Sequence, residues 1–183
     1  MKVVEPIRDK DKISEIENKL KIKNYRDYIL FKIGINTGLR ISDLLQLKVK
    51  DVKNKTHLEL YEGKTNKYKR QALSPELRQN ITDYIEGEEL TDEEYLFQSR
   101  KGDNKPIGRV QAYRVLRDIG EEVGLDKVGT HTLRKTFGYH HYKQNKDVAL
   151  LQDLFNHSSP SITLKYIGIN QDIKDASTVS FYL

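Results

Sequence analysis

The stretch "THLELYEGKTNKYKRQAL", residues 56–73, decides which fold the chain can adopt. On both sides of it apolar residues recur at helical spacing. Within it Leu58, Leu60 and then Tyr68 alternate with polar neighbours around "GKTN". Alternation sends successive side chains to opposite faces, and a glycine-containing polar turn between two such runs reads as a β-hairpin. With this stretch helical the chain would be all α. With it paired, the fold is mainly α with a small antiparallel β-sheet, an α+β domain.

Outward from the hairpin the pattern is helical. Toward the N-terminus, residues 9–22 form a charged helix with Ile13, Ile16 and Leu20 on one face. Asn24 or Asp27 opens a second helix, apolar around most of its circumference and therefore expected to be buried, which Gly38 stops in "NTGLR". Ser42 is the expected cap of a short helix carrying Leu44, Leu45 and Leu47. Toward the C-terminus, Ser74-Pro75 opens a helix to about Gly87, and an acidic, turn-rich connection leads to "YLFQS". Residues 108–123 are expected to place Val110, Tyr113, Leu116, Ile119, Gly120 and Val123 on one face. Thr130 is the expected cap of "HTLRKTFGYHHYKQN" and Asp147 that of "VALLQDLF", while Pro160 opens a short helix with Leu164 and Tyr166. The tail, 170–183, is weakly periodic.

The 183 residues suffice for one domain. Lys and Arg number 32 against 27 Asp and Glu, a net charge of +5 that suits a polyanionic partner. There is no cysteine, which excludes disulfides, zinc fingers, thiolate metal sites and cysteine nucleophiles. The start, "MKVVEPIRDKDK", has no apolar leader, and no run approaches the ~20 apolar residues of a membrane span. A cytoplasmic protein with no membrane partner is expected.

Taken singly, the reactive side chains have ordinary readings. Arg40 is a surface arginine, His131 a capping histidine, Arg134 a salt-bridged arginine, His157 a helix C-cap, Tyr166 a core aromatic, and Lys64 a solvated turn lysine. Taken together they describe one chemistry. Two guanidiniums match phosphate oxygens with paired donors. A phenol is an oxygen nucleophile that needs a base or cationic surroundings, a turn lysine can protonate a leaving alkoxide, and histidine moves protons near neutral pH. The sum is attack by a tyrosine on a phosphodiester.

Four segments in order, "NTGLRISDLLQL", "GKTNKYKR", "HTLRKTF" and "LFNHSSPSITLKYI", resemble the boxes of the tyrosine recombinases, the phage-integrase family. Arg134 precedes His157 by 23 positions and His157 precedes Tyr166 by nine, which fits the same pattern. The resemblance covers about residues 8–170. It implies a catalytic domain like that of these recombinases and of type IB topoisomerases, acting as a site-specific DNA recombinase or integrase. Arg40 and Arg134 would hold the non-bridging phosphate oxygens, and Lys64 would protonate the 5′-hydroxyl, with Lys67 as its rival. His131 would assist proton transfer, His157 would bond a phosphate oxygen, and Tyr166 would become linked to the 3′-phosphate. The linkage preserves the energy of the broken bond, so no cofactor or metal is implied. The partners implied are double-stranded DNA and further protomers, a monomer free and a tetramer on DNA. A catalytically silent DNA-binding module and type IB-like relaxation are the alternatives.

Two positions depart from the family pattern. Asn156 stands where glycine is usual, and asparagine adopts the same backbone. Lys135 stands where many relatives have histidine. The boxes also start too soon for the family's N-terminal core-binding and arm-binding domains, so the expectation is a single catalytic domain over 1–183, a fragment with Met1 as an added start. Lys67, Lys69 and Arg70 of the hairpin, Arg109, Arg114 and Arg117 of the 108–123 helix, and Lys135 are expected to contact DNA. His140 and His141 point apart on a helix and are not expected to bind metal. The tail, with Val179, Phe181, Tyr182 and Leu183, is expected to pack in cis or dock on a neighbouring protomer.

Overall fold

The structure, a computed structural model, describes residues 4–182. Met1, the expected added start, and Leu183, part of the expected apolar anchor, lie outside the described residues. Helix starts follow side-chain caps. Asp9 accepts from the Asp11 amide at 2.8 Å and opens α1, Lys10–Lys23. Asn24 closes α1 and opens α2, Tyr25–Thr37, accepting from the Asp27 amide at 3.2 Å. Gly38 ends α2 in the left-handed region, at φ 62°, and a Cβ there would also collide with the Phe137 ring. Two single-turn helices follow, α3 at Ile41–Leu44 and α4 at Val49–Val52. Strands β1, His57–Tyr61, and β2, Tyr68–Ala72, pair antiparallel with Leu60 opposite Lys69 and Tyr61 opposite Tyr68. The hairpin and the fold class therefore stand as expected.

Ser74 caps α5, Pro75–Gly87, accepting from Leu77 at 3.1 Å. The segment that follows buries Leu96 and Phe97 and leads to α6, Arg109–Glu122. Then come α7, Thr130–Asn145, α8, Val148–Phe155, α9, Pro160–Tyr166, and α10, Ile169–Val179.

Four local expectations change. Ser42 lies inside α3, whose N-cap is the extended Arg40; the buried side chains of Leu39 and Ile41 set the entry instead. Thr130 is the first residue of α7, not its cap, and the Gly129 amide is satisfied by Thr132 Oγ1 at 3.0 Å. Val110 and Tyr113 face outward on α6, 64% and 42% exposed, while Ala112, Leu116, Ile119 and Val123 face the core. An apolar stripe tolerates a shift of one position, and packing against the rest of the core selects Ala112. The tail folds as α10, with Ile169 buried as its anchor, whereas Val179, Phe181 and Tyr182 are exposed.

The apolar interior has two parts. The larger joins α1 to α6 and reaches Leu133 of α7. The smaller collects Tyr139, Leu151, Phe155, Ile167 and Ile169 from α7 to α10. Helix α7 belongs to both. Its Leu133 packs against α2 so closely that a Cβ on Gly34 would lie 2.5 Å from Leu133 Cδ1. Arg134 follows directly, at the seam between the two parts.

Candidate active site

Helix ends build the site. The chain leaves α2 at Gly38, and α8 ends at Phe155, so two rows of backbone carbonyls converge on the seam. Carbonyl ends of helices carry partial negative charge and need donors. Arg134, 3% exposed, supplies both: Nη1 donates to the Gly38 carbonyl at 2.5 Å and Nη2 to the Phe155 carbonyl at 2.9 Å. Its guanidinium carbon lies 4.2 Å from the Phe155 ring centroid. Five N–H donors in a planar fork allow these two bonds and still leave donors facing the site.

Tyr166, the last residue of α9, is docked in the site. Its Oη lies 3.5 Å from His131 Nδ1, at the limit of hydrogen bonding. Its ring meets the His157 ring edge-on at 5.2 Å between centroids and the Phe155 ring at 5.7 Å. His157 follows Asn156, which takes the left-handed backbone at φ 53°, and its Nδ1 is 3.0 Å from Thr163 Oγ1. Arg40 leads into α3 with its guanidinium turned into the same space, Nη1 lying 2.6 Å from Glu62 Oε1. Lys64 is exposed on the hairpin turn, close enough for its charge to act on His131. The structure thus brings Arg40, His131, Arg134, His157 and Tyr166 together, with Lys64 at the rim.

The electrostatics follow from burial among cations. Burial pushes the Tyr166 phenol above its ordinary value, and Arg134 and Arg40 oppose that rise only in part. The hydroxyl is therefore protonated near neutral pH and needs a base. Burial holds His131 below the ordinary histidine value, reinforced by Lys135, Arg109, Arg134 and Lys64. His157 is lowered in the same way by burial, Arg134 and Arg40. Both rings are then neutral acceptors near pH 7, and His131 faces the phenol when its proton sits on Nε2.

Lys69 departs from its expected place on the DNA face. It is 7% exposed, points inward beneath the hairpin, and donates to the Leu154 carbonyl at 3.1 Å. Burial, with Arg134 nearby, lowers its amine to about 8. Between that value and the ~10.5 of a free lysine the unfolded chain holds a proton that the folded chain has lost, so stability rises with pH across this window. The difference in unfolding free energy between the unmodified chain and Lys69→Met, from urea melts at about pH 7.5 and about pH 10, should grow by ~1–3 kcal/mol toward high pH. A flat difference would mean that the fold does not lower the Lys69 amine.

The other expected DNA contacts divide. Lys67, Arg70, Arg109 and Arg114 are exposed, and the field of Arg109 at His131 places the start of α6 beside the site. Lys67 reaches Asn156 Oδ1 at 3.4 Å, and Arg70 pairs with Glu59 at 3.2 Å. Arg117 is held by Asp118 at 2.5 Å and lies 3.8 Å from Glu121. Lys135 donates to the Val4 carbonyl at 2.7 Å and stands 5.3 Å from the Tyr166 ring centroid, so it works within the protein and against the phenol ring. His140 is half-buried and contacts the Ile7 carbonyl at 2.9 Å.

Two acidic side chains at the site were missed in the sequence. Asp43 accepts from the Gly63 amide at 3.1 Å, and Glu62 is 1% exposed beside Arg40. A signal existed for Glu62 and Lys69. Leu58, Leu60 and Glu62 share one strand parity, and Lys69 is the cross-strand partner of Leu60, so period two directs all of them inward.

Known proteins share this sequence and fold. The family model described as "Phage integrase family" matches residues 8–172. A Bacillus subtilis protein named "Probable integrase/recombinase YoeC" is 51% identical over 177 residues, 97% of this chain and 96% of that protein. "Tyrosine recombinase XerA" of Pyrococcus furiosus is 30% identical over 168 residues, 90% of this chain but 57% of its own length. Among solved structures, an XerA recombinase superposes with a TM-score of 0.76 at 22% identity, covering 98% of this chain and 65% of that one. A XerH recombinase bound to a difH substrate in a post-cleavage complex gives 0.74 at 22% identity, over 97% and 54%. With nearly its whole length matched and its boxes in order, this chain belongs to the phage integrase family of tyrosine recombinases.

Proposed function

We propose that this chain is the catalytic domain of a site-specific DNA recombinase. Tyr166 Oη attacks the scissile phosphorus, the bond to the 5′-oxygen breaks, and a 3′-phosphotyrosyl link and a free 5′-hydroxyl result. His131 receives the phenolic proton and Lys64 gives one to the departing oxygen. Arg40, Arg134 and His157 stabilise the charge that builds on the non-bridging oxygens. A 5′-hydroxyl from a partner strand reverses the step and completes exchange. Double-stranded DNA and further protomers assembled on it are the partners. The observation that carries this reading is the docked phenol of Tyr166 within reach of His131 and beside two arginines.

Short nicked duplexes randomised around the nick, incubated with the chain and denatured in SDS, should yield a covalent protein–DNA adduct whose recovered sequences define the site. Binding without an adduct would identify a silent DNA-binding module instead. Resolution of four-way junctions separates recombination from simple relaxation.

Lys64, Lys67, Arg70, Arg109 and Arg114 are exposed cations available to a duplex. If these meet about five phosphates, a log–log plot of affinity against salt should have a slope on the order of −4 to −5. A slope near −1 would show that this face does not lie along the duplex. Among the described residues no helix is long and apolar enough to cross a membrane.

A further inference from the structure

The hairpin brings to the site a side chain that phosphate chemistry does not call for. Glu62, just past β1, is buried with its carboxylate among cations. Its Oε2 accepts from Thr65 Oγ1 at 2.7 Å and from Asn156 Nδ2 at 3.2 Å. Its Oε1 lies 2.6 Å from Arg40 Nη1. That last contact is close but off the hydrogen-bonding line, so among the described residues neither Arg40 Nη1 nor Glu62 Oε1 has an aligned partner. A carboxylate standing in for the phosphate would take the guanidinium fork through two parallel bonds. Here a single close contact neutralises the charge of Arg40 without gripping the fork.

Each partner of Glu62 belongs to a different part of the site. Arg40 leads into α3. Thr65 follows Lys64 in the hairpin turn. Asn156 precedes His157, and its Oδ1 lies 3.4 Å from Lys67 Nζ of the same hairpin. Arg40, Lys69 and Arg134 converge before any phosphate arrives, and like charges at such range repel through a low-dielectric interior. The buried Glu62 offsets that repulsion where they meet. Burial alone would raise its carboxyl, yet Arg40, Thr65 and Lys69 hold it below the ordinary value, so it is ionised in the folded chain.

We infer that Glu62 is a positioning residue for strand cleavage: it orients Arg40 and, through Thr65 and Asn156, couples the turn carrying Lys64 to the loop carrying His157. The inference rests on the proposed function. Its mechanical content is that the turn next to Lys64 is tied, through Thr65 and Glu62, to Asn156 and to Arg40. Asn156 then does more than tolerate a left-handed backbone in place of glycine; its amide joins hairpin to loop.

The test is single-turnover adduct formation on a nicked duplex recovered from the randomised pool, made once with oxygen and once with sulfur at the 5′-bridging position. A thiolate leaves without a proton, so sulfur bypasses the step assigned to Lys64. Glu62→Gln should lower the adduct rate on the oxygen substrate by about 100-fold, with duplex affinity within about threefold. Sulfur should restore at least about tenfold of that loss. Asn156→Gly keeps the backbone conformation and removes only the bridge; it should cost about 3–10-fold on oxygen and little on sulfur. It also serves if Glu62→Gln folds poorly. A Glu62→Gln rate equal to or above that of the unmodified chain, or equal losses on both substrates, overturns the inference while leaving the proposed function intact. No adduct from the unmodified chain overturns both.

Discussion

A Tyr166→Phe chain is expected to bind duplex DNA as tightly as the unmodified chain and to leave no SDS-resistant adduct on it. The change removes one oxygen and nothing else. That oxygen lies 3.5 Å from His131 Nδ1, at the limit of hydrogen bonding, and the Arg134 guanidinium also acts on it. The ring keeps its edge-on packing against Phe155 and His157. Unfolding free energy should therefore fall by no more than about 1.5 kcal/mol, the ordinary worth of one hydrogen bond. Chemistry has no substitute nucleophile, because Phe offers no lone pair to phosphorus. Adduct yield should drop to background while mobility shifts of the duplex persist. A surviving adduct would move the nucleophile to another side chain and remove the basis of the proposed function.

Arg134→Lys is expected to be damaging twice over. The guanidinium joins the ends of α2 and α8 by bonding the Gly38 and Phe155 carbonyls. A lysine keeps the charge but offers a point-like ammonium on a flexible stem, which cannot serve both carbonyls and a phosphate. One helix end is left with an unsatisfied buried carbonyl, costing about 1–3 kcal/mol. For a chain of this size that lowers the melting temperature by about 2–10 °C. Loss of the paired donors at the phosphate should lower the adduct rate by about 100–1,000-fold, the range found when one preorganised donor is removed from an oxyanion site. Melting curves and single-turnover trapping on the same preparation read the two effects separately. A normal rate with a lowered melting point would make Arg134 a structural plug alone.

Several features could be read from local sequence because they depend on neighbours only. The caps at Asn24, Ser74 and Asp147 are short side chains that bond the next turn of backbone, and all three do so. Gly38 and Asn156 sit where left-handed backbone was needed. The hairpin follows from alternation and a glycine turn. The errors share a cause as well. Val110 and Tyr113 lie on a plausible apolar stripe of α6, but which edge of a stripe is covered depends on elements far along the chain. The tail has weak periodicity, yet α10 forms because Ile169 docks into the smaller core and Arg8, 164 positions earlier, bonds Asp172 at 2.9 Å.

The amino-acid order by itself determined the fold class, the helix caps, the six side chains that match the boxes and their family. Those are matters of spacing, period and residue type, and spacing survives without coordinates. Only the tertiary structure decided that Lys69 turns inward, that Arg134 closes two helix ends, that Tyr166 is docked against His131, and that Glu62 sits among the cations. The physical reason is that the environment of a buried charge is set by groups remote in the chain. Glu62 and Asn156 are 94 positions apart and Arg134 and Gly38 are 96 apart, distances over which no local pattern carries information.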